Sequence, residues 1–168
     1  MVLVTALRFE EMSVQSSDFG LYDRLARAEM HVEDLVSGEE LLKWIAEGRV
    51  RAWMVYDGAG VLVGWCSVMT PSTCHPTSSS VHLLGNIVFG DRKRRGIGKA
   101  MADWRVAQFG NRPLTASVQP GNLASERVLA SCGFRPGFPE QGGPWTVWHR
   151  PPTQERLALV RLSGDMEN

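Results

Sequence analysis

The sequence offers neither a disulfide framework nor a metal clip. Cysteine occurs three times, at Cys66, Cys74 and Cys132, an odd number without C-x-x-C spacing, which argues against a stapled secreted domain and against a zinc or redox pair. The four histidines, His31, His75, His82 and His149, show no H-E-x-x-H or related spacing, so no metal is expected. Charge of one sign is also missing, since 18 basic residues balance 18 acidic ones and leave no global field to attract nucleic acid or an anionic membrane. No run approaches the roughly 18 apolar residues of a membrane span. The apolar start, Met1 to Leu7, has no basic segment and is too short for a signal sequence. A soluble cytoplasmic protein with no nucleic-acid or membrane partner is the expectation.

The 168 residues, 43% apolar and 21% charged, suffice for one buried core and are too few for two ordinary domains. We expect a single domain over residues 1–168, with a core from about 3 to 162 and a short tail at 163–168. Val2 to Phe9 reads as a strand, and Asp18 to Glu29 carries Leu21, Leu25 and Ala28 at helical spacing. Ser37 with Glu40 forms a capping-box pair for a short helix that Gly48 closes. Val50 to Tyr56 and Val61 to Met69 read as a hairpin joined by Asp57-Gly58-Ala59-Gly60. After a loop, Pro71 to Ser80, come a central strand (Val81 to Phe89), a helix with Met101, Trp104 and Ala107 near one face (Gly98 to Phe109), a strand (Leu114 to Val118) and a helix capped by Asn122. Arg135 to Pro144 reads as a Pro- and Gly-rich loop, followed by strands at Trp145 to His149 and Leu157 to Leu162.

The densest chemical signal is Gly90-Asp91-Arg92-Lys93-Arg94-Arg95-Gly96-Ile97-Gly98-Lys99, where a strand turns into a helix. Unpaired N–H groups in a first helical turn, together with the positive end of the helix dipole, cradle phosphate, and glycines let the backbone approach closely. Four consecutive basic side chains suit a polyanion such as a pyrophosphate. The spacing fits neither the Walker loop, since five residues separate Gly90 from Gly96 and Ala100 follows Lys99, nor the dinucleotide fingerprint, since Met101 stands at its third glycine.

Lys93-x-x-Gly96-x-Gly98 resembles the Q/R-x-x-G-x-G/A acetyl-CoA turn of the Gcn5-related N-acetyltransferase (GNAT) superfamily. A second match is Asn122 followed twelve residues later by Phe134 in Cys132-Gly133-Phe134. The resemblance covers nearly the whole chain. It implies an α/β fold with a mixed, mostly antiparallel sheet, splayed at the central strand and flanked by helices on both faces. It also implies acetyl-CoA as co-substrate and transfer to a primary amine, from a small molecule or peptide, by direct attack on the thioester. Ile87, Val88 and Phe89 are then main-chain contacts for the pantetheine arm, and Lys93, Arg94, Arg95, Gly96, Ile97, Gly98, Lys99 and Asn122 complete the cofactor set. Amides freed at a bulge in that strand would stabilise an oxyanion.

An amine with a pKa of about 10.4 arrives protonated and needs a base. His82, six residues before Val88, matches a proton-relaying histidine of arylalkylamine acetyltransferases, against the plainer reading of a half-exposed strand histidine. The tyrosine acid common in the superfamily is replaced by Leu129. Ser125, in the N-x-x-S pattern of the ribosomal-protein type, is the alternative donor to the leaving thiolate. Glu29, Trp53 and Trp65 are acceptor-side candidates, with a solvated acid and packed aromatics as their default readings. Two other readings stay open: a CoA-binding regulatory or scaffold module that has lost catalysis, and another acyl-CoA reaction on the same scaffold. A homodimer is an open partner as well.

Overall fold

The computed structural model describes residues 6–15, 19–29, 37–70, 80–90, 96–139 and 143–153. Several expectations therefore lie outside the described residues: the start of the first strand, the Leu157 to Leu162 strand, the tail, nearly all of the 71–80 loop, and the basic run through Arg95.

Seven strands form one sheet: β1 (Arg8–Glu11), β2 (Val50–Tyr56), β3 (Leu62–Met69), β4 (Val81–Val88), β5 (Leu114–Val118), β6 (Arg135–Pro139) and β7 (Thr146–Arg150). Their spatial order is β1-β2-β3-β4-β5-β7-β6. Each neighbouring pair is antiparallel except β4 with β5, as expected of a mixed, mostly antiparallel sheet. Four helices cover it: α1 (Phe19–Glu29), α2 (Gly38–Ala46), α3 (Ile97–Phe109) and α4 (Leu123–Ser131).

The period-2 alternation of the strands divides the apolar side chains between two cores. On one face Tyr22 and Ala26 of α1 and Leu41 of α2 pack with Ala52, Met54, Trp65 and Ile87. On the other, Ile97, Met101 and Ala102 of α3 and Leu129 of α4 pack with Trp53, Val55, Cys66, Val68 and Leu114. Ser37 caps α2 through its hydroxyl, which accepts from the Glu40 N–H. The β2–β3 turn closes on the Asp57 carboxylate, which accepts from the Ala59 and Val61 N–H groups.

Two expectations are corrected. Residues 135–139 are not loop but strand β6, paired with β7 from Arg135↔His149 to Pro139↔Thr146. Pro136 and Pro139 are tolerated because β6 is an edge strand, where a missing N–H need not face a partner. In α3 the buried stripe is Ile97, Met101, Ala102 and Arg105. Ala107 is exposed, and Trp104 lies half-buried, stacked on Phe9 with ring centroids 4.0 Å apart.

Candidate active site

The fold places a gap beside β4. β4 and β5 share three register pairs, Val81↔Leu114, His82↔Thr115 and Leu83↔Ala116, and beyond them β4 keeps only β3 as a neighbour. The separation begins at a bulge, where Cys66 to Val68 on β3 spans two steps against three from Asn86 to Leu83 on β4. Gly85 occupies this bulge because a Cβ there would lie 2.5 Å from the Trp65 ring.

Past the bulge the direction of each amide follows from the ladder. The Phe89 N–H donates to Val63 O at 2.9 Å, so in this antiparallel register Ile87 also faces β3, while Asn86 and Val88 turn their main-chain groups toward the gap. Of residues 87–89, for which main-chain contacts are expected, Val88 is the one whose main-chain groups face the gap. Asn86, which the sequence reading did not single out, joins it. The Ile87 and Phe89 side chains are buried in the core on the α1 side. Asn86 also ties β4 to the first turn of α3, donating from Nδ2 to Gly98 O at 3.1 Å.

The strand-to-helix turn has the expected form at its described end. Gly96 is the N-cap of α3 with φ 78° and ψ 0°, a left-handed conformation that glycine adopts without a Cβ penalty. As a glycine, the N-cap brings no side chain of its own to this terminus, and first-turn amides at such a helix start can bind an anion. Gly98 adds no bulk in the first turn, and Ile97 points into the core, 7% exposed. Lys99 leans along the helix instead, its ammonium paired with Asp103 one turn on, and that carboxylate also accepts the Cys132 thiol at 3.2 Å. Lys93, Arg94 and Arg95 lie outside the described residues.

His82 sits at the closed end of the gap, half-buried. Val81 and Leu83 point into the core on the α3 side, so alternation puts the imidazole on the opposite face. There Thr115 Oγ1 lies 2.8 Å from Nδ1 and Ser117 Oγ 3.5 Å from Nε2. Two hydroxyls of β5 thus flank the ring. Asn122 caps α4, its Oδ1 accepting from the Ser125 N–H at 3.2 Å. This puts Ser125 in the first turn of α4, just after β5 ends, and it makes no described contact with His82. Leu129 is buried in the core at 7% exposure.

Trp53 and Trp65 do not wall an acceptor pocket. They belong to opposite cores at 3% and 5% exposure, because Trp53 pairs with Cys66 whereas Trp65 pairs with Met54. Trp53 packs edge-on to Trp104, and Trp65 packs on Tyr22 and donates from its indole N–H to Met12 Sδ. Glu29 is the last residue of α1. Among the described residues no group of three or more His, Cys, Asp and Glu side chains could hold a metal, and no helix is long and apolar enough to cross a membrane.

A splayed parallel pair and a helix start at a left-handed glycine agree with a sequence comparison, in which the model of the acetyltransferase (GNAT) family matches residues 20–134. The chain belongs to the GNAT family. This match spans α1 through Phe134 and so includes the gap, the Gly96 turn and the Asn122 cap. GNAT architecture also dominates the structural neighbours. A chimera of the Vibrio cholerae spermidine N-acetyltransferase SpeG and hSSAT is 15% identical with a TM-score of 0.65, over 88% of this chain and 96% of that one. A dodecameric form of the Vibrio cholerae enzyme is 15% identical with a TM-score of 0.59, over 85% and 91%. A protein of Acinetobacter baylyi named for acetyltransferase activity is 16% identical with a TM-score of 0.67, over 87% and 93%. At these identities the likeness concerns the fold. No curated protein matches the chain.

Proposed function

We propose that this GNAT chain is an N-acetyltransferase that moves the acetyl group of acetyl-CoA onto a primary amine. The observation that carries the reading is the parting of β4 from β5 after three register pairs, in line with a helix start whose N-cap is a left-handed glycine. The residues present fit the donor. Asn86 and Val88 offer main-chain groups along an unpaired edge, as a pantetheine amide requires, and the amides after Gly96 suit a diphosphate. Arg92, Lys93, Arg94 and Arg95 lead into that turn in sequence.

Acetyl-CoA supplies a thioester whose carbonyl carbon accepts a nucleophile. In this reading His82 removes the surplus proton of the incoming amine, with Thr115 Oγ1 holding the ring in place at Nδ1. The amine nitrogen bonds to the carbonyl carbon, the C–S bond breaks, and the departing thiolate takes a proton from Ser125 or from water, which is made good by the proton that the nitrogen sheds on becoming an amide. The acceptor is a small-molecule or peptide amine. Polyamines head the panel to be tried, because spermidine is the substrate named for several structural neighbours. Self-association goes with the reading, since one neighbour is a dodecamer.

A second reading has one observation in its favour. Leu129 is core, not hydroxyl, which suits a CoA-binding module without catalysis. Calorimetry with acetyl-CoA followed by mass spectrometry of a mixed-amine panel separates the outcomes. Binding with an acetylated product supports the transferase, binding without product supports the module, and a product of other mass indicates a different acyl reaction. Absence of CoA and acetyl-CoA binding by folded protein defeats both readings.

A further inference from the structure

Arg105 is a cation on a helix face that is otherwise apolar. It lies on the buried stripe of α3 at 2% exposure, and no carboxylate among the described residues pairs with it. Nη1 instead donates to three backbone carbonyls, Ser67 at 3.1 Å, Leu84 at 3.0 Å and Gly85 at 3.3 Å. All three belong to the β3–β4 bulge. Nε and the neighbouring Ser67 Oγ are both buried without a partner. Desolvating a guanidinium costs several kcal/mol, about as much as a few charge-assisted bonds return. A neutral amide would satisfy carbonyls with less desolvation. The charge itself calls for an account.

We propose that Arg105 is a positioning residue that fixes and polarises the bulge of β4, so that the Gly85 and Asn86 amides stabilise negative charge developing on the acyl oxygen. The proposal rests on the acetyl-transfer reading. A trans peptide points its C=O and N–H in opposite directions. Drawing the Leu84 and Gly85 carbonyls to the guanidinium therefore aims the Gly85 and Asn86 N–H groups away from it. The β3–β4 register independently turns Asn86 toward the gap. A cation at the carbonyl end withdraws electron density through the amide and makes its N–H a stronger donor. In a dry interior such a fixed charge needs no reorganisation when an oxyanion forms. Trp65 closes the opposite side of Gly85, so the bulge cannot relax away. Cys66, beside Arg105, does not cancel the charge at neutral pH, because burial pushes its thiol up to about 11.

The test is infrared difference spectroscopy of acetyl-CoA, carbon-13 labelled at the acetyl carbonyl and bound to the full chain, combined with steady-state kinetics. For wild type the thioester stretch falls below its frequency in water. Arg105→Met reverses most of that fall and lowers kcat roughly 10²-fold, the scale of losing one oxyanion donor, while KM for acetyl-CoA stays within about threefold because the Gly96 turn is intact. Arg105→Lys, which keeps the charge, recovers most of both. A wild-type stretch equal to that in water overturns the proposal, even if Arg105→Met does not fold. So does an Arg105→Met stretch equal to wild type, or equal loss in the lysine and methionine variants. If wild type binds acetyl-CoA normally in those cases, the transferase reading stands; if it does not bind, both fall.

Discussion

The two halves of β4, Val81 to Leu83 and Asn86 to Val88, each combine two aliphatic residues with one polar residue and are paired differently. From Val81 to Leu83 the strand is paired with β5, and at His82 and Leu83 with β3 as well. From Asn86 to Val88 it is paired only with β3. The closed half holds a side chain, His82, steadied by two hydroxyls of the adjacent strand. The open half presents backbone. The candidate site is thus made by withdrawing a strand partner at the bulge, and the chemistry we propose for it divides accordingly: proton transfer at the paired end, donor binding where the edge is open.

The largest expected effect breaks the closed half. His82→Ala lowers kcat/KM about 10²-fold or more and removes the inflection that the imidazole contributes to the pH–rate profile, with acetyl-CoA affinity by calorimetry unchanged. An unaltered profile would remove His82 from the mechanism. Gly85→Ala strikes the junction between the halves. Its Cβ would lie 2.5 Å from Trp65, and overpacking of this kind costs about 1–3 kcal/mol, read as a lower denaturation midpoint together with weaker acetyl-CoA binding. Gly96→Ala strains the mouth of the open half. At φ 78° a Cβ costs roughly 1–2 kcal/mol, and donor affinity falls while kcat at saturation is retained.

The smallest effect is a titration of the packing behind the site. Burial pushes the Tyr22 hydroxyl up to about 12 and the Cys66 thiol up to about 11. Both groups are held neutral, so their full contribution to stability is present below their unfolded values, 9.0 for Cys66 and 10.0 for Tyr22. It is lost as pH rises, at up to about 1.4 kcal/mol per group and pH unit. Urea midpoints therefore decline between about pH 9 and 12, and Tyr22→Phe with Cys66→Ala flattens the decline. An equally steep decline in the double variant would assign it to other groups.

Local signals gave most of the fold. Ser37 with Glu40, Asp57 through Gly60 and Asn122 are chemical punctuation, and the structure uses each where the sequence writes it. β6 was not legible because Pro136, Gly137 and Pro139 read as loop, and only its edge position, a tertiary fact, tolerates them. The Gly96 helix start was legible from two glycines and their charged neighbours. The bulge was not, since register belongs to two strands at once. Arg105 had a faint signature, four residues after Met101 on the apolar stripe, but an arginine on a helix is ordinarily solvated. Trp53 and Trp65 read as neighbours on adjacent strands, but the pairing of β2 with β3 sends their side chains into two separate cores.

β7, the last described strand in chain order, does not lie at the sheet's margin. It is inserted between β5 and β6, which have no ladder with each other. A nascent chain emerging from the ribosome can complete the β1-to-β4 meander from contacts already synthesised. β5 can join it directly through its three pairs with β4. β6 has its ladder with β7, so that margin of the sheet waits for Thr146 to Arg150.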